Sequence, residues 1–419
     1  MDRRSFNKRL LTGACLPLIP ASPFLSSRSQ KNNPTINDNY ELKLEVATRL
    51  FDGKQCWVHP RAGLVPDLNQ GGSPRIVMTM NTLDLSGSDV FKGMYELTSD
   101  DLGKHWSEPE KLAALAPRYE TINGERRPIA TSDFWPKYHA ASNKLLGVGH
   151  TIVYTPDWKV AHPRPRHTSY SVYNAETEQW SAWEKLIMPD GEQFFSAGAG
   201  CVQRYDDEDG SILLPIYFTP PGQNSRVTVC RCSFDGKHLK YLLHGNVLHV
   251  DNDTRGLHEP SITKWKGRYY LTIRNDEMGY VSSSDDGLQF EPIRPWTFDD
   301  GTLLGNYNTQ QHWVNHSDTL YLVYTRKGAN NDHIFRHRAP LFMARVDTEK
   351  LCVIRETERV IVAERGARLG NFGVTDISPE ETWVTVSEWM QPEGVEKYGS
   401  NGSVFVARIQ WNAPNLNDD

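Results

Sequence analysis

The chain has 419 residues, with 46 Lys and Arg against 52 Asp and Glu and a formal net charge of −6. That balance carries no basic footprint for nucleic acid, and no stretch past the N-terminal region approaches the ~20 apolar residues a membrane helix requires. Twelve Trp and seventeen Tyr, with many short segments rich in Val, Ile and Tyr, favour an all-β protein whose open face can stack on sugars.

The first ten residues, MDRRSFNKRL, carry Arg3-Arg4-x-Phe6 with Lys8 behind, followed by a modestly apolar run through Leu25. This is the pattern of a twin-arginine export signal, so residues 1–30 are set aside from the fold and a periplasmic or secreted location is expected. Cys15 in LTGAC is not a good lipid attachment site, because Thr12 stands where such sites carry Leu. The remaining cysteines, Cys56, Cys201, Cys230, Cys232 and Cys352, show no paired C-x-x-C spacing. No metal site and no cofactor are expected. Cys230 and Cys232 lie two apart on one strand face and read as core residues.

From Tyr40 one theme repeats: an inner strand with small or functional residues, a hairpin, a second apolar strand, then outer strands. Inner strands are expected to begin near Arg61, Trp135, Ala199, Glu259, His312 and Phe372, and second strands at RIVMTMN, KLLGVGHTIVY, SILLPIYF, RYYLTIRN, TLYLVYTR and TWVTVSEW. Six such units across residues 40–412 predict a single six-bladed β-propeller, with residues 413–419 a disordered tail. The last unit ends at SVFVARIQW without a fourth strand, and ELKLEVATRLF at 41–51 has no partner. Pairing these two closes the ring and removes two exposed edges.

Two turn signatures punctuate the outer strands, Ser99-x-Asp101-x-Gly103-x-x-Trp106 and Ser283-x-Asp285-x-Gly287-x-x-Phe290, with Ser233-Phe-Asp235-Gly236 a degenerate copy. In each, a short polar side chain can hydrogen-bond the backbone of a tight turn while an aromatic packs beneath. In the segment from His258 to Arg274 a Lys-Gly hairpin joins two strands, so that Glu259 and Arg274 sit on paired neighbours.

With these residues in view, the sequence resembles the sialidase (neuraminidase) superfamily, six-bladed propellers whose rim turns are called Asp-boxes. AGAGCVQRYDDEDGSILLPIYF is similar to the family's glycine-rich third-blade strand, HEPSITKWKGRYYLTIRND to its Glu-Pro strand with an arginine one hairpin later, and HPRAGLVPD to its first-blade strand through Arg61 alone. The resemblance implies three arginines that hold a substrate carboxylate: Arg61, Arg274, and Arg338 in FRHRAPLF, with Arg326 in VYTRKG as runner-up. It implies Asp89 in LSGSDVFKG as general acid and Glu259 as the partner of a tyrosine nucleophile. Where that tyrosine is expected, GNFGVTDIS presents Phe372.

The residues themselves support part of this. Planar arginine forks bind carboxylates bidentately, and three on separate inner strands would converge at the mouth of a ring. Each also has a plain structural reading: a solvated side chain for Arg338, an ion pair with Glu259 for Arg274, a turn-stabilising role for Asp89. His59, His139, His258 and His312 begin or follow four units and could face one pocket, with His312 a substrate-binding candidate. Hydrogen bonding to strand backbone is the alternative for each.

The expected function is an exported, exo-acting glycoside hydrolase on an acidic oligosaccharide or polysaccharide carrying sialic or uronic acid. Without the tyrosine, an inverting route with Asp89 and Glu259 as acid and water-activating base fits better than retention. Two alternatives stand beside it. One is a polysaccharide lyase, in which arginines neutralise a uronate and a His or Tyr abstracts the adjacent proton. The other is a glycan-binding propeller without catalysis.

Overall fold

A computed structural model describes residues 39–66, 73–86, 89–189 and 191–416. The segment expected to be an export signal and the last three residues of the expected tail lie outside the described residues. The only helical segments described are short 3₁₀ turns, and no described helix is long and apolar enough to cross a membrane.

Six antiparallel sheets make the six blades of a β-propeller. Their inner strands are Gln55–Val65, Glu125–His139, Ala197–Gly198, His258–Trp265, His312–His316 and Phe372–Ser378, in the segments the repeat pattern marks. The sixth sheet takes its outermost strand from the other end of the chain: Tyr40–Arg49 pairs antiparallel with Ser403–Trp411, from Tyr40 opposite Trp411 to Arg49 opposite Ser403. The Tyr40 ring then packs edge-on to Tyr321 and Trp411, at 5.9 and 5.7 Å between centroids. The closure therefore joins blade 6 to blade 5 as well as completing its own sheet.

The core is divided radially. One apolar wedge, with Val65, Met94, Phe134 and Leu145, lies between blades 1 and 2. Others fill the gaps from blade 2 round to blade 6, and the wedge containing Trp57, Met78, Trp383 and Val406 returns from blade 6 to blade 1. Cys230 and Cys232 are buried in the wedge between blades 2 and 3. Because each blade is half of two wedges, losing one blade's register removes support from both neighbours.

The first turn signature forms as expected: Ser99 Oγ accepts from the Gly103 N–H at 2.8 Å, and Trp106 lies 6.1 Å from Trp383. The second is displaced by one residue from the expected Ser283 and Asp285. Ser284 Oγ accepts from the Gly287 N–H at 3.0 Å, Asp286 Oδ1 accepts from the Leu288 and Gln289 N–H groups, and Asp285 points to solvent. The turn is a residue tighter, because the glycine N–H reaches three positions back rather than four.

A chain beginning at Asp52 lacks the closing strand and exposes the edge of Ser403–Trp411 with the apolar face beneath it. Its thermal unfolding, followed by circular dichroism, is expected to lose cooperativity and shift to lower temperature; an unchanged melting curve would show the strand to be dispensable.

Candidate active site

The inner strands are irregular at one end of the ring. His59, Asp133, Cys201 and Glu259 have φ of 58°, 53°, 57° and 44°, and ladder register slips at Val58/Arg61, Ser132/Trp135 and His258/Ser261. A bulge re-aims a side chain, and a non-glycine residue in the left-handed region costs about 1–3 kcal/mol unless its surroundings hold it there. Here the re-aimed side chains of blades 1 to 4 line a cup of about 520 Å³.

Asp133 occupies the floor. Its Oδ1 accepts from the Cys201 thiol at 2.7 Å and lies 3.2 Å from His59 Nε2, while Oδ2 lies 3.1 Å from His150 Nε2. Arg61 approaches from below, with Nη1 at 4.0 Å from Oδ1 and Nη2 donating to Cys201 Sγ at 3.1 Å. Burial alone would raise the Asp133 pKa, but His59, His150 and Arg61 more than offset it and hold the carboxyl well below its usual range. Burial lowers the imidazoles in turn, His59 to about 4. A neutral His150 facing an ionised Asp133 carries its proton on Nε2, which leaves Nδ1 to accept the hydroxyl proton of Tyr217 at 2.9 Å. Tyr217, His150 and Asp133 thus form one row that crosses from blade 3 to blade 2, a hydrogen bond from Tyr217 to His150 followed by a close His150–Asp133 contact.

The walls are cationic. Arg164, Arg166, Arg255, Arg274, Arg336 and Arg368 line the cup, against the carboxylates of Asp89, Asp133, Glu259 and Glu393. Arg274 is paired with Glu259 through Nη1 and donates from Nη2 to Asn308 Oδ1 at 2.8 Å. Arg255 holds Asp276 through two contacts of 2.7 and 2.8 Å. The other four arginines have no carboxylate within ion-pair distance among the described residues. Arg368 lies over the Trp389 ring at 4.3 Å, and burial brings its pKa down to about 10.

Of the residues singled out from sequence, Asp89, Glu259 and Arg274 line the cup, as do His59 and His258. Glu259 keeps Oε2 buried without a hydrogen-bond partner, and Asp89 is exposed at the rim. Arg61, His312 and Phe372 do not line it. They are fully buried beneath the floor, where Arg61 lies 5.6 Å from the Trp135 ring and the His312 ring packs between Trp135 and Phe372. This plug separates the cup from a second cavity of about 440 Å³ at the other end of the inner strands. The bulge at His59 explains the displacement of Arg61: the residue turned into the cup stands two positions earlier.

Arg338 is also buried outside the lining, with Nε and Nη2 donating to the Asn308 carbonyl. Arg326 is held bidentately by Glu358, and His139 bonds Ser142 and the Gly210 carbonyl. The sequence reading passed over Asp133, His150, Tyr217, Arg164, Arg166, Arg255, Arg336 and Arg368. One signal for some of them existed in AGAGC. A Cβ at Gly200 would collide with His150 Nδ1, and one at Gly198 would come within 2.9 Å of Arg166 Cδ. Closely spaced glycines on an inner strand mark large side chains pressed against it.

No protein-family model matches the sequence, and no curated protein matches it. Solved structures similar to this chain include a Trypanosoma rangeli sialidase in complex with the inhibitor DANA, at 14% identity over 85% of this chain and 55% of that one, with a TM-score of 0.55. A Hadza microbial sialidase is 10% identical over 85% of this chain and 66% of its own, with a TM-score of 0.56. The NanB sialidase of Streptococcus pneumoniae is 11% identical over 91% and 71%, with a TM-score of 0.58. The fold is therefore a sialidase-like six-bladed propeller, and this chain spans about 55% of the length of the Trypanosoma rangeli protein.

Buried imidazoles make the floor acid-sensitive. His59 stays neutral in the folded protein down to about pH 4, whereas the unfolded chain protonates it near 6.5. The unfolded state binds the extra proton between those values, so stability is full above pH 6.5 and falls as pH drops towards 4, by up to about 3 kcal/mol from this residue. Urea titrations across that window should give a steeper loss for wild type than for His59→Gln; parallel losses would remove His59 as the sensor.

Proposed function

We propose that the cup is the active site of a sialidase-like enzyme that cleaves the glycosidic bond of an acidic sugar. The supporting observation is the set of four cup arginines, Arg164, Arg166, Arg336 and Arg368, that have no carboxylate partner among the described residues. Guanidinium forks pair bidentately with carboxylates, and a ligand anion would take the place the protein's own acids leave open. In the hydrolytic reading Asp89, at the rim, protonates the departing glycosidic oxygen. Glu259, paired with Arg274, takes a proton from water through Oε2. The burial of Phe372 beneath the floor fits a route that needs no tyrosine at that position.

A second reading is favoured by a specific feature, the Tyr217–His150–Asp133 row. Ionised Asp133 fixes the His150 tautomer, and His150 receives the Tyr217 hydroxyl proton as the phenolate oxygen takes the proton next to a uronate carboxylate. The C–H electron pair becomes the new double bond, the C–O bond to the leaving sugar breaks, and Asp89 supplies that oxygen with its proton. This is elimination, and its product absorbs in the ultraviolet.

The two are separated by one panel of sialosides and uronic-acid polysaccharides. Hydrolysis is expected to release reducing sugar without ultraviolet absorbance, and Asp89→Asn to lower the rate roughly 100-fold or more while Tyr217→Phe retains most of it. An absorbing product that disappears in Tyr217→Phe establishes elimination instead. Cleavage confined to neutral glycans, with Arg336→Gln plus Arg368→Gln leaving it unchanged, would overturn both.

A further inference from the structure

We propose that Arg164 and Arg166 form a second anion subsite in the cup, so that the ligand carries two anionic groups, such as a uronic acid bearing a sulfate. The inference rests on the acidic-sugar reading and adds a second charge to it. Both residues lie on the connection after the Lys144–Val153 strand of blade 2, outside every motif tied to the first carboxylate. The backbone there is pinned to blade 3: the Arg166 N–H donates to the Phe195 carbonyl at 3.3 Å, and the Ala197 N–H to the Arg166 carbonyl at 3.0 Å.

The Arg166 guanidinium lies 4.6 Å from the centre of the Tyr217 ring, which shares the cup. Gly198 leaves the room it occupies, since a Cβ there would fall 2.9 Å from Arg166 Cδ and 2.9 Å from His150 Cβ. A fold that gives up a side chain on an inner strand to seat an arginine would ordinarily provide that arginine with an acid. None is present. Among the described residues neither guanidinium has an ion pair or a hydrogen bond, and Nη1 of Arg164 with Nε and Nη1 of Arg166 are buried donors without acceptors. Burial and the adjacent Arg166 together hold the Arg164 pKa below its usual value, a tension that a bound anion relieves.

Across the cup stands a second such pair. Among the described residues Arg336 has no carboxylate within ion-pair distance, and the Arg368 guanidinium donates to Gln391 Oε1 alone, at 3.1 Å. Between the pairs the lining runs from Arg166 through the Tyr217 ring to His258, whose ring lies 5.5 Å from that of Tyr217, and on to Arg274, opposite His258 in the strand ladder. Two cationic pairs without an ion-pair partner among the described residues, in a cup whose Arg274 and Arg255 are already held by Glu259 and Asp276, match a ligand charged at two places better than a monoanion, which leaves one pair unused.

Inorganic sulfate is the probe, titrated by calorimetry into the full chain at constant ionic strength. Two sulfates per chain are expected. Arg164→Gln with Arg166→Gln should leave one, and Arg336→Gln with Arg368→Gln should leave the other, each lost site weakening at least tenfold. Arg164→Gln alone, which leaves the Tyr217 stacking intact, should weaken the first site and guards against misfolding of the double variant. One sulfate in the wild type, abolished by Arg336→Gln with Arg368→Gln and untouched by Arg164→Gln with Arg166→Gln, would overturn the second subsite and spare the acidic-sugar reading. No sulfate bound at all would overturn both.

Discussion

The Asp133 carboxylate is the interaction on which the cup depends. It sits where three blades meet and is reached by His59 and Arg61 from blade 1, His150 from its own blade 2, and Cys201 from blade 3. A buried carboxylate with no partner would cost several kcal/mol, so these neighbours are required for it to be ionised at all. Once ionised, it dictates their proton positions: Nε2–H on His150, hence an acceptor at Nδ1, hence a Tyr217 hydroxyl that donates. The left-handed conformations of His59, Asp133 and Cys201 are held by the same contacts, since relaxing any one of them would withdraw a partner from the carboxylate. Removing Asp133 would thus change the shape of the floor as well as its charge.

Above this anionic floor the cup is predominantly positive, and the contrast explains why its arginines differ from one another. Arg274 is neutralised by Glu259 and Arg255 by Asp276, which makes them fixed walls. Arg368 is kept in place by stacking on Trp389 and Arg166 by stacking on Tyr217, contacts that orient a guanidinium without neutralising it. An arginine positioned by an aromatic face retains its capacity for an anion; one positioned by a carboxylate has largely spent it. The plug of Arg61, Trp135, His312 and Phe372 closes the ring's channel below, so a ligand enters and leaves from the rim.

The architecture was legible in the sequence because it repeats. Six apolar second strands and the unmatched ELKLEVATRLF segment were enough to place the blades and the closure, since strand periodicity and edge pairing act on every residue of a unit. The cup was only partly legible because it is built where the repeat breaks. Bulges at His59, Asp133 and Glu259 shift which residue faces inward, so counting from an aligned arginine led to Arg61, buried below the floor. His150 and Tyr217 sit on second strands that otherwise read as plain apolar core, while Arg164, Arg166 and Arg336 belong to connections without pattern. Glu259 and Arg274 could be paired in advance because a single short hairpin joins their strands, and the bulge between His258 and Ser261 leaves Glu259 beside Arg274. The same rule explains the misplaced Ser283 and Asp285, where adjacent serines and aspartates offered two registers one residue apart.

The central claim is that the cup recognises a carboxylate on a sugar. Calorimetric titration of free sialic and uronic acids against their methyl esters tests it most directly, because esterification removes the charge and keeps the ring. The account predicts that at least one acid binds and that its ester is weaker by about ten- to a hundredfold, the loss of one charge-assisted contact worth roughly 1.5–3 kcal/mol. Equal affinity for acid and ester, or binding of neutral sugars alone, would contradict it.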